Sequence, residues 1–176
     1  VLAPSYTLRG QNLIMDSRHI QFQDDKSCID FEQLQRLFAR TAFWAKTRSL
    51  SDLEVAIANS NPVITVWDGA ALIGCARATS DGVYRATIWD VLIDPDYQGR
   101  GLGRKLVETV LAHPAMNRVE RTYLMTTHQQ RFYERIGFEV NATTTMLLLG
   151  QPWITPEFQS PGQPMVQPAA SDTVSV

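Results

Sequence analysis

The sequence predicts an α/β chain of the α+β kind, in which a mixed, mostly antiparallel sheet carries helices on its faces. Three observations lead there. Strand-like runs follow one another between 63 and 93 with only short turns between them, the pattern of antiparallel neighbours. Beyond 93, helix-like and strand-like runs alternate. Amphipathic runs lie both before and after the strands and supply the helices.

The first strand-like stretch is around His19 to Phe22. Asp30 then caps a helix from Phe31 to about Arg40, with Ile29, Phe31, Leu34, Leu37 and Phe38 forming its apolar face. A second helix starts at Ser51, where Ser51 and Glu54 have the spacing of a capping box and Leu50 and Val55 that of a staple. Pro62 precedes a strand from Val63 to Trp67, Asp68-Gly69 makes a hairpin turn, and Ala71 to Ala78 returns. Ser80-Asp81-Gly82 turns into a long strand over 84–93, whose segment Ala86-Thr87-Ile88-Trp89-Asp90-Val91-Leu92-Ile93 is rich in β-branched and aromatic residues and is closed by Asp94-Pro95.

The run from Arg104 to His113, with Leu102, Leu106, Val107, Val110 and Leu111 on one stripe, reads as a helix stopped by Pro114. A strand near Arg121 to Thr126, a short helix holding Tyr133 and a last strand near Thr143 to Leu149 complete the order β, α, α, β, β, β, α, β, α, β. Residues 1–150 read as one domain. From Gln151, Pro152, Pro156, Pro161, Pro164 and Pro168 lie among Gln, Ser and Ala, which reads as a tail, disordered beyond about residue 160.

Composition narrows the classes. With 176 residues, 44% hydrophobic and 19% charged, the chain can bury a substantial core. A net charge of -2 and the lack of a basic stripe argue against nucleic-acid binding. Cys28 and Cys75 are far apart and lack ligand-spaced neighbours, so neither a zinc site nor a disulfide framework is expected; both read as small buried or half-buried residues in a reducing compartment. No apolar run has the length of a membrane span and no basic-then-apolar leader is visible, so the expected location is the cytoplasm, or the plastid stroma for a plant protein.

Gln98-Gly99-Arg100-Gly101-Leu102-Gly103 carries the chemistry, because it joins a strand to a helix. Glycine lets the backbone turn tightly and approach a ligand, and the first turn of a helix offers unpaired N–H groups at its positive end. Such a loop suits a diphosphate, to which Arg100 and Arg104 add local positive charge. It is neither a dinucleotide fingerprint nor a triphosphate loop, since the Gly-x-Gly-x-Gly spacing lacks the later acidic residue of the first and the Gly-Lys-Ser/Thr of the second.

The loop resembles the acyl-CoA signature of the GCN5-related N-acetyltransferase (GNAT) family, Gln/Arg-x-x-Gly-x-Gly/Ala, with Gln98, Gly101 and Gly103 at its fixed places. A second stretch, Phe132-Tyr133-Glu134-Arg135-Ile136-Gly137-Phe138, is similar to the family's Phe-Tyr-x-x-x-Gly-Phe. The resemblance implies a sheet of six to seven strands with about four helices, and acyl-CoA held between strands that splay apart. It implies acetyl-CoA as donor cosubstrate and no metal, with the loop amides on the pyrophosphate and Val91, Leu92 and Ile93 offering backbone groups to the pantetheine arm. It implies Tyr133 as the acid that protonates the departing thiolate.

The base is less marked. Asp90 is an ionisable group in an apolar strand, and strict alternation groups it with Ile88 and Leu92 unless a bulge re-aims it, as the family often has. A carboxylate hydrogen-bonded structurally to neighbouring backbone or to an arginine, His128 as the base, and relay through water are the competing readings. For the acceptor, Phe43 and Trp44 offer aromatic faces near the junction of the first two helices. The resemblance implies a primary amine, either an arylalkylamine such as serotonin or a protein lysine, and allows a homodimer; a non-catalytic acyl-CoA-binding module is the alternative.

Overall fold

The computed structural model describes residues 19–42, 45, 47–143 and 145–146. The chain divides into two compact units, Val1–Val140 and Asn141–Val176, and the architecture below is that of the first. The elements run β1 (Ile20–Gln23), α1 (Phe31–Thr41), α2 (Leu50–Ala58), β2 (Val63–Asp68), β3 (Ala71–Ser80), β4 (Arg85–Ile93), α3 (Leu102–Ala112), β5 (Arg121–Leu124) and α4 (Gln130–Glu134). This is the expected order as far as it is described. Positions 144 and 147–149 of the expected last strand, and the tail from Gln151, lie outside the described residues.

Among the described residues five strands, against the six to seven expected, form one sheet in the order β1-β2-β3-β4-β5. The first three pairings are antiparallel and β4–β5 is parallel. The central strands are covered on both faces. Leu34, Leu37 and Phe38 of α1 and Leu53 and Ile57 of α2 pack on Val63, Trp67, Cys75 and Leu92. On the opposite face, Leu106, Val107 and Val110 of α3 pack on Ile64, Val66, Ile73, Ala76 and Ile88. Those three α3 side chains are fully buried, each a gain of about 1.5–3 kcal/mol over exposure. Val107→Asp would place an unpaired carboxylate there and break the face.

Local signals explain most element ends. The Asp30 carboxylate accepts from the Gln33 amide at 3.0 Å and caps α1. The Asp81 carboxylate accepts from the amides of Val83, Tyr84 and Arg85, closing the turn into β4, and these bonds hold its pKa below the usual range.

Two expectations are corrected. The cap of α2 is Ser49, not Ser51: the Ser49 hydroxyl accepts from the Asp52 amide at 3.1 Å and donates to its carboxylate at 2.7 Å, a capping pair two residues earlier than expected. Leu53 and Ile57 then lie four apart on the buried side, whereas Val55, expected as a staple, is 63% exposed. Cys28 is exposed, because it ends a helical turn capped by Asp25 and its thiol donates to that carboxylate at 3.3 Å. Cys75 is buried as expected.

Candidate active site

The site begins where a strand pairing stops. The parallel ladder of β4 with β5 runs from Arg85↔Arg121 to Ile88↔Leu124, yet β4 continues to Ile93. Past Ile88 the two chains part, which leaves one edge of β4 facing a cleft with its backbone polar groups on offer. The cleft holds about 1000 Å³. It is lined by Val91, Leu92 and Ile93 of β4, by Gly99, Gly101 and Gly103 of the loop, by Thr126, His128 and Tyr133, and by Arg48 and Asp90.

β4 does not keep strict alternation. Cys75 pairs with Leu92 and Arg77 with Trp89, so Asp90 and Val91 together oppose the single residue Ala76. Asp90 takes φ +53°, a left-handed conformation that Asp and Asn tolerate better than most residues. The bulge exchanges the faces. Ile88 sits in the core under α3, but Leu92 sits in the core under α1 and α2. Asp90 therefore leaves the α3 side, where alternation would have put it with Ile88.

There its side chain is 3% exposed and is held by two arginines. Arg48 Nη1 donates to both carboxylate oxygens at 3.2 Å, and Arg77 Nε donates to Oδ2. The burial expected of Asp90 is present, and so is the bulge; the arginine pair is the competing reading given above. Arg77 is the residue that sequence reasoning passed over. Its signal was available: one basic residue in the buried run of β3 and one acidic residue in that of β4 are most economically neighbours.

After β4, Asp94 caps a helical turn at Pro95–Tyr97 by accepting from the Asp96 amide at 3.0 Å. Arg40 of α1 pairs with Asp94 at 2.7 Å and Asp96 at 2.9 Å, and Tyr97 donates to Asp68 at 2.8 Å. Burial, then the Asp68 bond, pushes the Tyr97 phenol up to about 12. The turn that leads into the glycine loop is thereby tied to α1 and β2.

Gly99 and Gly101 adopt φ +76° and +79°, and a Cβ would meet nothing within 4 Å at either, so conformation and not crowding calls for glycine. Gly101 is the N-cap of α3 and provides no side-chain cap. Among the described residues, the amides of Gly99, Arg100, Gly101, Leu102, Gly103 and Arg104 have no acceptor. Such a run of free donors at a helix start is a cradle for an anionic oxygen cluster. A diphosphate of the kind expected from the sequence fits it.

The side chains of the loop divide differently from expectation. Gln98 does not point its amide at the cradle; it donates to the Ile93 carbonyl at 2.9 Å and ties the loop across its base. Arg100 donates to the Asp96 carbonyl at 2.8 Å and lies over the Tyr97 ring, while Arg104 pairs with Glu108 at 2.7 Å along α3. Gly103 lies against Phe132: a Cβ there would stand 3.5 Å from its ring, an ordinary contact.

Phe132 and Tyr133 of α4 pack edge to face at 4.9 Å, and Phe138 packs on Tyr133 at 5.9 Å. Gly137, at φ +109°, turns the chain so that the Phe138 amide reaches the Tyr133 carbonyl at 3.1 Å. These contacts fix the tyrosine on the cleft wall, and burial raises its pKa above the ordinary phenol range. His128 lines the cleft and is exposed. Phe43 and Trp44, the expected acceptor contacts, lie outside the described residues. Among those residues no cluster of His, Cys, Asp or Glu is arranged to hold a metal, and no helix is long and apolar enough to cross a membrane.

Comparison with known proteins agrees with this geometry. A family model described as "Acetyltransferase (GNAT) domain" matches residues 59–140. Histone acetyltransferase TAP1 of Glycine max is 37% identical over 125 residues, covering 64% of this chain and 53% of the relative. This chain thus spans about half the length of that relative. Uncharacterized N-acetyltransferase ycf52 of Pyropia yezoensis is 32% identical over 128 residues, covering 68% of this chain and 72% of the relative. Among solved structures, a protein belonging to the GNAT family from Xanthomonas campestris superposes with a TM-score of 0.67 at 26% identity, covering 74% of this chain and 94% of the other.

Proposed function

Because the chain belongs to the GNAT acetyltransferase family, we propose that it transfers acetyl from acetyl-CoA to a primary amine by direct attack within a ternary complex. One observation carries the reading: the open edge of β4 beyond Ile88 leads to the unpaired amides of Gly99 to Arg104, with Tyr133 lining the same cleft. An extended arm ending in a diphosphate matches that sequence of groups.

Each group has a task in this proposal. The loop amides hold the pyrophosphate oxygens, and the left-handed glycines keep those amides convergent. The edge over Val91, Leu92 and Ile93 pairs with the amide groups of the pantetheine arm. Acetyl-CoA supplies an activated thioester. Tyr133, a phenol that is protonated at neutral pH and whose pKa burial raises further, donates its proton to the departing sulfur. His128, exposed in the cleft and outside the arginine pair that occupies Asp90, accepts the proton from the incoming ammonium. The acceptor is an arylalkylamine or a protein lysine; the histone acetyltransferase name of the soybean relative favours testing lysine peptides beside tryptamine-like amines.

The test is to incubate the protein with acetyl-CoA and a panel of both acceptor classes, and to measure free CoA by chromatography, since the exposed Cys28 would react with thiol reagents. Acceptor-dependent CoA release is expected. Tight acetyl-CoA binding with no release for any amine would overturn catalysis in favour of a binding module.

A further inference from the structure

We infer that Asp90, Arg77 and Arg48 form a charged clasp that sets the β4 bulge, so that Asp90 is a positioning residue for donor binding and not the base. This rests on the reading of the cleft as an acyl-CoA site. The clasp joins parts remote in the chain: Arg77 lies on β3, Arg48 before α2, and Asp90 at the one left-handed residue of β4.

Both Asp90 oxygens already accept from guanidinium groups, and the side chain is 3% exposed. A carboxylate in that position has its charge met from within the protein. Arg77 is anchored in turn, its Nη1 donating to the Ser60 hydroxyl at 3.1 Å, and that hydroxyl donates to the Ala56 carbonyl at 2.7 Å. A further titratable neighbour is the Cys75 thiol, which burial, followed by the Asp90 charge, pushes up to about 12. Asp90 and Arg48 line the cleft, but both carboxylate oxygens there are already taken by guanidinium donors.

The bulge has a definite consequence for the site. It moves Leu92 to the α1/α2 face and Ile93 to the α3 face, so the stretch lining the cleft is out of phase with Ala86 and Ile88 below it. Without the clasp, Asp90 has no compensation for its left-handed conformation, and the register of Val91 to Ile93 loosens. The donor-binding edge is lost with it.

Asp90→Asn and Arg77→Lys test this, since asparagine also tolerates φ +53° and lysine keeps the charge on β3. Both variants should weaken acetyl-CoA binding by calorimetry roughly tenfold, with kcat at saturating donor within about threefold of the parent and its pH profile unmoved. Amide hydrogen exchange in the ligand-free protein should speed up between Trp89 and Ile93 in both.

Asp90→Asn with normal donor affinity, lost turnover and a flattened acidic limb of the pH profile would overturn the inference and make Asp90 the base. So would unaltered affinity and exchange in both variants. If the parent fails to bind acetyl-CoA while the variants still loosen these amides, the clasp stands and the acyl-CoA reading falls.

Discussion

The side-chain amide of Gln98 donates to the carbonyl of Ile93 at 2.9 Å, so the last residue of β4 and the first of the glycine loop are tied across the turn between them. The strand end and the amide cradle are therefore linked directly. Gln98→Ala removes that tie at an expected cost of about 0.5–1.5 kcal/mol. It should raise the acetyl-CoA Kd several-fold while leaving far-ultraviolet circular dichroism unchanged, and titration calorimetry checks it.

Gly101→Ala tests the cradle by a different route. The added methyl has free space, so any loss comes from φ +79° alone. The left-handed conformation should cost about 1–2 kcal/mol, read as a lower urea midpoint, or else the loop relaxes and donor affinity falls. Unchanged stability together with unchanged affinity would show that these amides are not held as described.

Tyr133→Phe keeps the ring contacts with Phe132 and Phe138 and removes the proton. Turnover should fall by roughly 10²–10⁴-fold with acetyl-CoA affinity preserved. A phenol is in its acid form at neutral pH, and because burial raises its pKa, wild-type kcat should decline only on the alkaline side of the ordinary phenol range. A pH–rate profile of both proteins decides the point.

The cap of α2 gives a comparison that needs no activity. Ser49→Ala removes the hydroxyl that accepts from the Asp52 amide and should lower stability by about 1 kcal/mol. Ser51→Ala, inside the first turn, should be close to neutral. Thermal melts that reverse this order would restore Ser51 as the cap.

The two cysteines should separate cleanly under alkylation. Cys28 is exposed, whereas Cys75 is buried with its thiol pushed up to about 12. Iodoacetamide near neutral pH should modify Cys28 in the native protein and reach Cys75 only after denaturation. Mass spectrometry of tryptic peptides before and after urea treatment reads both sites.

The sequence by itself determined what short stretches of chain decide. Asp30 capping α1, the apolar stripe of α3, the turn at Asp81 and the glycines at 99 and 101 are legible because each depends on backbone preference or on residues a few places apart. The cap of α2 was misplaced for a related reason: several polar residues near 50 satisfy the local rule, and the burial of Leu53 and Ile57 against the core selects among them. The tertiary structure alone decided the mouth of the cleft and the use of Asp90. The ladder ends at Ile88 and Leu124, and Asp90 meets Arg77 from the next strand and Arg48 from before α2. Arg77 on the adjacent strand could be inferred as a neighbour from the sequence, but Arg48 lies 42 residues from Asp90 and reaches it only when the helices pack on the sheet, so the sequence alone could not choose between a free carboxylate and a clasped one.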